Sequence, residues 1–415
     1  MRKAAEPTAR ENVLAPQSGL EPETLRLTAE CSTIELLRSK VAGLFYYTKA
    51  KHGCQTFRRA FSWCLRYRIE KASHPHERSQ SSQVSPVKFR LLVSLLITLT
   101  PPVISETPKT PPLRIQKTIP LPGVEGRLNH MSADTRNQRL FVAALGNNSL
   151  EVVDWKTGKV VRSIKDFKGP QGVLYHPETN RIVVTSRDDG TIKFLDGSSY
   201  QILTTVNKFT NADNIRYDPT TKTIVVGYGN GALGSFDLNG KQLGEARLEV
   251  HPESFLLERQ GLRVFVNTPT SKSITIVNRQ TKAVTRTFPL SAVGSNSALA
   301  LDEVNRRLFI ACRKPPRILT LDASSGVQID ERETVGDVAD IFYDAARKRL
   351  YASGGDGAVD VIQQMSPNRY EPVAKIPTAP GARTSLFVAD ANLYFVAVPH
   401  RGTQQPEIRV FEVGN

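Results

Sequence analysis

Three kinds of chemistry are open to the polar residues that recur just ahead of a repeated aliphatic run in this 415-residue chain. Arg127 and Arg383 carry guanidinium groups, and His400-Arg401 adds another cation; converging, they would clamp a carboxylate, phosphate or sulfate through charge-assisted hydrogen bonds. Asp213, Asn214 and Glu253 supply hard oxygens of the kind calcium or magnesium takes, although no motif joins them. His130, with Asp340 or Glu253, has the residue types of a general acid–base pair. Asn129, Gln171, Ser254, Asn296, Ser297 and Thr384 complete a ring of polar residues at corresponding positions. Polarity alone does not make such a ring a ligand site, because strand ends that face a water-filled channel are polar in proteins that bind nothing. Nucleophile-elbow, zinc-protease, P-loop and dinucleotide motifs are not found.

What must position these residues is a repeat. The aliphatic runs begin at Leu140, Ile182, Ile224, Val264, Leu308, Leu350 and Leu393, in steps of 40 to 44 residues. So steady a period indicates stacked supersecondary units rather than one irregular core. Within a copy the pattern has period two: Leu150, Val152 and Asp154 alternate with Glu151 and Val153, as in a half-buried strand. Between strands stand residues that tolerate a left-handed backbone, such as Asn147-Asn148, Asp188-Asp189-Gly190 and Gly354-Gly355-Asp356-Gly357. A second hairpin repeats an aspartate, at Asp154, Asp196, Asp237 and Asp322, whose carboxylate is placed to accept turn N–H groups.

Each copy therefore reads as a four-stranded antiparallel sheet. One such sheet cannot bury both faces, but sheets arranged radially bury them against their neighbours, which is a β-propeller. The seventh copy stops at the strand ending Val413 and lacks its outermost member, and residues 114–119 read like that missing strand. The fold class is thus all-β, a seven-bladed propeller over residues 113–415, closed by pairing residues 114–119 with the C-terminal blade.

Residues 139–164, RLFVAALGNNSLEVVDWKTGKVVRSI, together with glycine/proline loops such as KGPQGV at 168–173, resemble the YVTN-type repeat of bacterial YncE-like seven-bladed propellers. The likeness spans roughly residues 113–415 and implies an exported propeller of the periplasm or cell surface. It brings no catalytic motif, since the repeat residues are those any blade needs.

The segment ahead of the repeats divides in three. Residues 1–86 hold Cys31, Cys54 and Cys64, with 14 Lys/Arg against 8 Asp/Glu, and show no repeat. His52, Cys54, Cys64, His74 and His76 suggest zinc, but their spacings do not match those that pre-form a tetrahedral site, and an unstructured or spuriously called extension is the simpler reading. Residues 87–105 have the layout of a secretory signal: basic Lys88 and Arg90, an apolar run from Leu91 to Leu99, then a small residue, Ser105. Translation beginning at Val87 and cleavage near Ser105 would deliver the propeller to the periplasm or the medium. The apolar run is too short for a membrane anchor, which needs about 20 residues. Residues 106–112 read as a proline-rich linker.

The chain carries +15 overall, but residues 106–415 hold 39 Lys/Arg against 32 Asp/Glu, a net +7 without a basic helix or an aromatic-rich basic run. Nucleic acid is therefore not an expected partner. Cys312 alone remains in the mature segment, so no internal disulfide is expected; beside Arg313 and Lys314 it reads as a buried strand residue rather than a reactive thiol. The reading is a monomeric, exported binding or scaffold module whose ligand, a small anion or a protein, sits at the channel mouth on Arg127, Asn129, His130, Asp213, Asn214, Glu253, Asn296, Asp340, Arg383 and Arg401. No cofactor is expected beyond a divalent cation on Asp213, Asn214 and Glu253. The alternative is a lactonase- or lyase-type enzyme using His130 and Asp340 at the same mouth.

Overall fold

The computed structural model describes residues 111–291 and 293–415. Their strands form seven four-stranded antiparallel sheets. Six are continuous in sequence: residues 131–164, 170–206, 215–247, 254–289, 294–333 and 338–377 make blades 1 to 6, each running from an inner to an outer strand. Blade 7 is composite: Thr384–Val388, Leu393–Val398 and Glu407–Val413 receive Leu113–Pro120 as their outermost strand. The closing register pairs Leu113 with Val413 and Pro120 with Glu407, with one shift between Ile115 and Lys117. Inner strands touch those of both neighbouring blades all the way round, blade 7 against blade 1 included. The seven-bladed, all-β ring and its closure are as the repeat spacing indicated.

The core is divided among the seven blade interfaces. Leu140, Val142 and Ala144 of the strand Arg139–Ala144 join Trp155, Phe395 and Ile408 between blades 7 and 1. Phe141 and Ala143, pointing the other way, join Val152, Tyr175 and Ile182 between blades 1 and 2. Successive residues of one strand thus pack on opposite neighbours, which is why the second strand of each blade is a continuous apolar run rather than an alternating one. The outer strand Lys159–Ile164 has no neighbour beyond it and stays mostly exposed. Phe141, Phe309 and Phe395 are wholly buried; cutting any of them to alanine costs about 3–5 kcal/mol.

On the face that carries the first and third hairpins of each blade, every repeated aspartate is held by its own turn. Asp154 accepts the N–H of Lys156 (2.8 Å) and Thr157 (3.0 Å), Asp196 those of Ser198 and Ser199, and Asp322 those of Ser324 and Ser325. In blade 4, where the repeat has Asn278, its amide oxygen takes the N–H of Gln280 and Thr281 in the same way. Arginines tie this face across blade boundaries. Arg139 of blade 1 pairs with Asp134 at 2.7 Å and reaches Tyr200 of blade 2, and the buried Arg279 of blade 4 meets the buried Asp218 of blade 3 at 2.7 Å.

No helix among the described residues is long and apolar enough to cross a membrane. The extension, the zinc reading, the signal-like segment with its cleavage near Ser105, and the linker up to residue 110 lie outside the described residues.

Candidate functional site

The inner strands start together at one mouth of the central channel, so the residue just before each strand is delivered there by the chain itself. His130 precedes Met131–Asp134 of blade 1, Glu253 precedes Ser254–Leu257 of blade 4, and Arg383 precedes Thr384–Val388 of blade 7. Arg383 Nη1 lies 2.6 and 2.7 Å from the two oxygens of Asp337, which leads into blade 6. Arg313 donates Nε to the Val338 carbonyl at 2.9 Å, and its Nη1 stands 3.3 Å from Glu253, bridging blades 4 and 6. Arg216 points from the inner strand of blade 3 and bonds the Ile215 carbonyl and the Asn214 amide oxygen. Asp340 accepts the Ser385 N–H at 2.8 Å. The His130 Nε2 stands 3.8 Å from Asp213 Oδ1, and that oxygen is buried without a hydrogen bond. The Arg127 guanidinium has neither an ion pair nor a hydrogen bond among the described residues.

Arg127 and Arg216 are exposed to channel water, whereas His130, Asp213 and Asp340 are half-buried. Charge is therefore costly there. Burial, reinforced by Glu253 and opposed by Arg127, Arg187 and Arg216, pushes the Asp213 carboxyl up to about 7. Burial raises Asp340 to about 6, with the Ser385 N–H and Arg216 pulling the other way. His130 falls to about 3 through burial and the nearby Arg216 and Arg127. Arg127 is lowered by burial and then by Arg383, with Asp213 offsetting part of the effect.

Several predicted site residues turn out to be joints between blades. Asn129 donates to Gln171 at 2.8 Å, Asn214 to the Glu253 carbonyl at 2.7 Å, and Asn296 to Asn267 at 2.8 Å. Ser297 donates to the Val338 carbonyl and Thr384 to the Leu128 carbonyl. His400 is held by Glu125 at 2.6 Å, and Arg401 is exposed and lies over Gly381. The carboxylate that stands within 4 Å of His130 is Asp213, because blade 3's loop carries it across to blade 1.

Of the cation-ligand set expected from Asp213, Asn214 and Glu253, Asn214 and Glu253 have protein partners, Glu253 through Arg313. Asn214 is engaged on both sides of its amide, and no three His, Cys, Asp or Glu side chains among the described residues are grouped to hold a metal. Cys312 is fully buried, and burial pushes its thiol up to about 12, so the adjacent Arg313, turned toward Glu253, does not activate it.

Sequence reasoning missed Arg216, Arg313 and Asp337. A usable signal existed for the first: Arg216 stands two residues after Asn214, at the second position of the inner strand Ile215–Asp218. Arg313 reaches the mouth because blade 5's second strand, Arg307–Lys314, runs to 8 residues where that of blade 4 has 6.

Fold and site together define a seven-bladed β-propeller whose channel mouth is ringed by arginines and carboxylates. Among solved structures, a chain of a mitotic checkpoint complex is similar with a TM-score of 0.63 and 12% identity, covering 83% of this chain and 99% of that one. A chain of Kuenenia stuttgartiensis hydrazine synthase is similar with a TM-score of 0.59 and 14% identity, covering 66% of this chain and 94% of its own. At these identities the likeness is one of fold alone. No protein-family model matches the chain, and no curated protein sequence does.

Proposed function

We propose that this propeller is an exported, YncE-like binding module that holds a small anionic ligand at the arginine-lined channel mouth. Arg127 carries the reading. Four channel carboxylates, Asp213, Glu253, Asp337 and Asp340, stand near five arginines; Arg313 and Arg383 are paired with carboxylates, while the guanidinium of Arg127, exposed to the channel, has no side-chain partner among the described residues and has a second cation, Arg383, beside it. An anion bound there supplies the missing countercharge, and guanidinium geometry suits carboxylate, phosphate or sulfate.

The test is calorimetric titration of the chain with sulfate, phosphate and small carboxylates, beside Arg127→Ala and Arg383→Ala. Binding should weaken by about tenfold to a hundredfold in Arg127→Ala, the loss of a charge-assisted contact. Binding that ignores both substitutions would move the ligand elsewhere, and a flat response to every anion would favour a protein-binding scaffold. Export is tested separately, by finding the chain in the periplasmic or secreted fraction.

One observation favours the enzymatic alternative of lactonase or lyase type: a neutral imidazole faces a carboxyl that titrates near neutrality, 3.8 Å away. Turnover of a lactone or uronide panel that disappears in a folded His130→Ala variant would establish it.

A further inference from the structure

His130 and Asp213 form a small polar site that the anion reading does not use. Blade 1 supplies the imidazole and blade 3 the carboxylate, with Nε2 and Oδ1 facing each other at 3.8 Å. Oδ1 is buried and has no donor among the described residues. The pair has two neutral-imidazole arrangements, an Nε2–H facing ionised Oδ1 or a protonated Oδ1 facing a bare Nε2, and at 3.8 Å the contact is electrostatic rather than a hydrogen bond. The charged groups that face Asp213 from the surrounding blades are Glu253 of blade 4, Arg127 of blade 1, Arg187 of blade 2 and Arg216 of blade 3. None of these arginines is within salt-bridge distance of it, so its ionised form is supported only by their field. Arg127 is the leading favourable partner in that field and also the exposed cation, without a side-chain partner among the described residues, on which the anion reading rests.

We propose that the channel mouth takes up its anion together with a proton, which settles on the His130–Asp213 pair. The inference rests on the anion reading of Arg127 and Arg383. An anion on Arg127 cancels the positive charge that favours ionised Asp213, and adds a negative charge beside a carboxylate that already feels Glu253. Protonation of Asp213 relieves both effects. The coupling is reciprocal, so a protonated pair binds the anion more tightly.

The direction with pH follows. Free Asp213 loses its proton as pH rises through about 7, so affinity falls above that point. His130 stays neutral throughout, held down to about 3 by burial and by Arg216 and Arg127. Asp340, raised to about 6 and tied to the Ser385 N–H, faces Arg216, Arg313 and Arg383, and adds a second, more acidic step.

Sulfate is the probe, because it stays dianionic and brings no titration of its own. Calorimetric titration of the full chain at about pH 6 and about pH 8, each in two buffers of different ionisation enthalpy, reads both affinity and protons. Affinity should fall by up to about tenfold per pH unit above neutrality, and the heat at the higher pH should vary with buffer as uptake of close to one proton requires. Asp213→Asn, checked for folding by its melting curve, should bind with neither dependence at the higher pH; Asp213→Ser replaces it if the amide disturbs the mouth. Sulfate binding without buffer dependence in the wild type overturns the coupling and leaves the anion site standing. Buffer dependence that persists in the variant assigns the proton to another group and overturns the role of the pair. No sulfate binding at either pH overturns the anion reading itself and the coupling with it.

Discussion

On the hairpin face of the ring, Asp154 receives two backbone N–H groups at 2.8 and 3.0 Å, whereas at the channel mouth Asp213 leaves Oδ1 without any. Asp154, Asp196 and Asp322 are all held below the usual carboxylate range, first by the backbone N–H of Thr157, Ser199 and Ser325. Asp134, Asp218 and Asp302 are more enclosed, and burial pushes them up, yet hydrogen bonds from Asn137, Thr221 and Asn305, among others, bring them below their ordinary value. At the mouth the order is reversed: Asp340, with one N–H, rises to about 6, and Asp213, with no donor on Oδ1, rises to about 7. The difference lies in what the backbone offers. A hairpin turn presents free N–H groups to its own aspartate, while a residue leading into an inner strand has its neighbouring N–H groups committed to the ladder. Carboxylates on the hairpin face are therefore used up in holding the ring, while at the mouth Asp213 remains open to protons and ligands.

The largest test of this contrast is on the hairpin face. Arg279→Ala strands the Asp218 carboxylate in a buried site, and stability should drop by about 3–5 kcal/mol, read as a lower urea midpoint. At the mouth the sign should differ. Asp213 is raised to about 7 from an ordinary value of 3.8, so its ionisation costs stability as pH climbs across that window. Asp213→Asn should then gain on the wild type between those values and hold a lead on the order of 1–3 kcal/mol above neutrality, part of the cost being screened by channel water. A lead that shrinks as pH rises would place Asp213 with the hairpin carboxylates. The smallest effect belongs to Asp154→Ala, on an exposed turn, with a loss of about 0.5 kcal/mol. Its lowered value means that this loss is present at neutral pH and fades in acid, so the two melting curves should merge there.

How far the sequence is legible differs between the two faces for the same reason. The turn aspartates were readable because a carboxylate and its N–H partners lie within three residues, as Asp154 and Thr157 do. Ring closure was readable because residues 114–119 complete a pattern seen in every other copy, and the structure pairs them with Glu407–Val413. The mouth was legible only as a set of positions. Arg127, His130, Asp213, Glu253, Asp340 and Arg383 were named, but Asn129, Asn214 and Asn296 from the same ring proved to be joints between blades, and Arg313 came from an unexpectedly long strand.

From the sequence alone, then, come the strand period, the blade count, the hairpin chemistry and the ring of residues that face the channel, all governed by contacts within one copy or between a copy and its successor. The tertiary structure alone decided that Asp213 meets His130, that Arg313 bridges Glu253 and Asp337, and that Arg127 is left without a side-chain partner among the described residues. The first joins blades that are not consecutive, the second spans three blades, and the third depends on what its neighbours leave unpaired. Their distances follow from the diameter and closure of the whole ring, which no single repeat encodes.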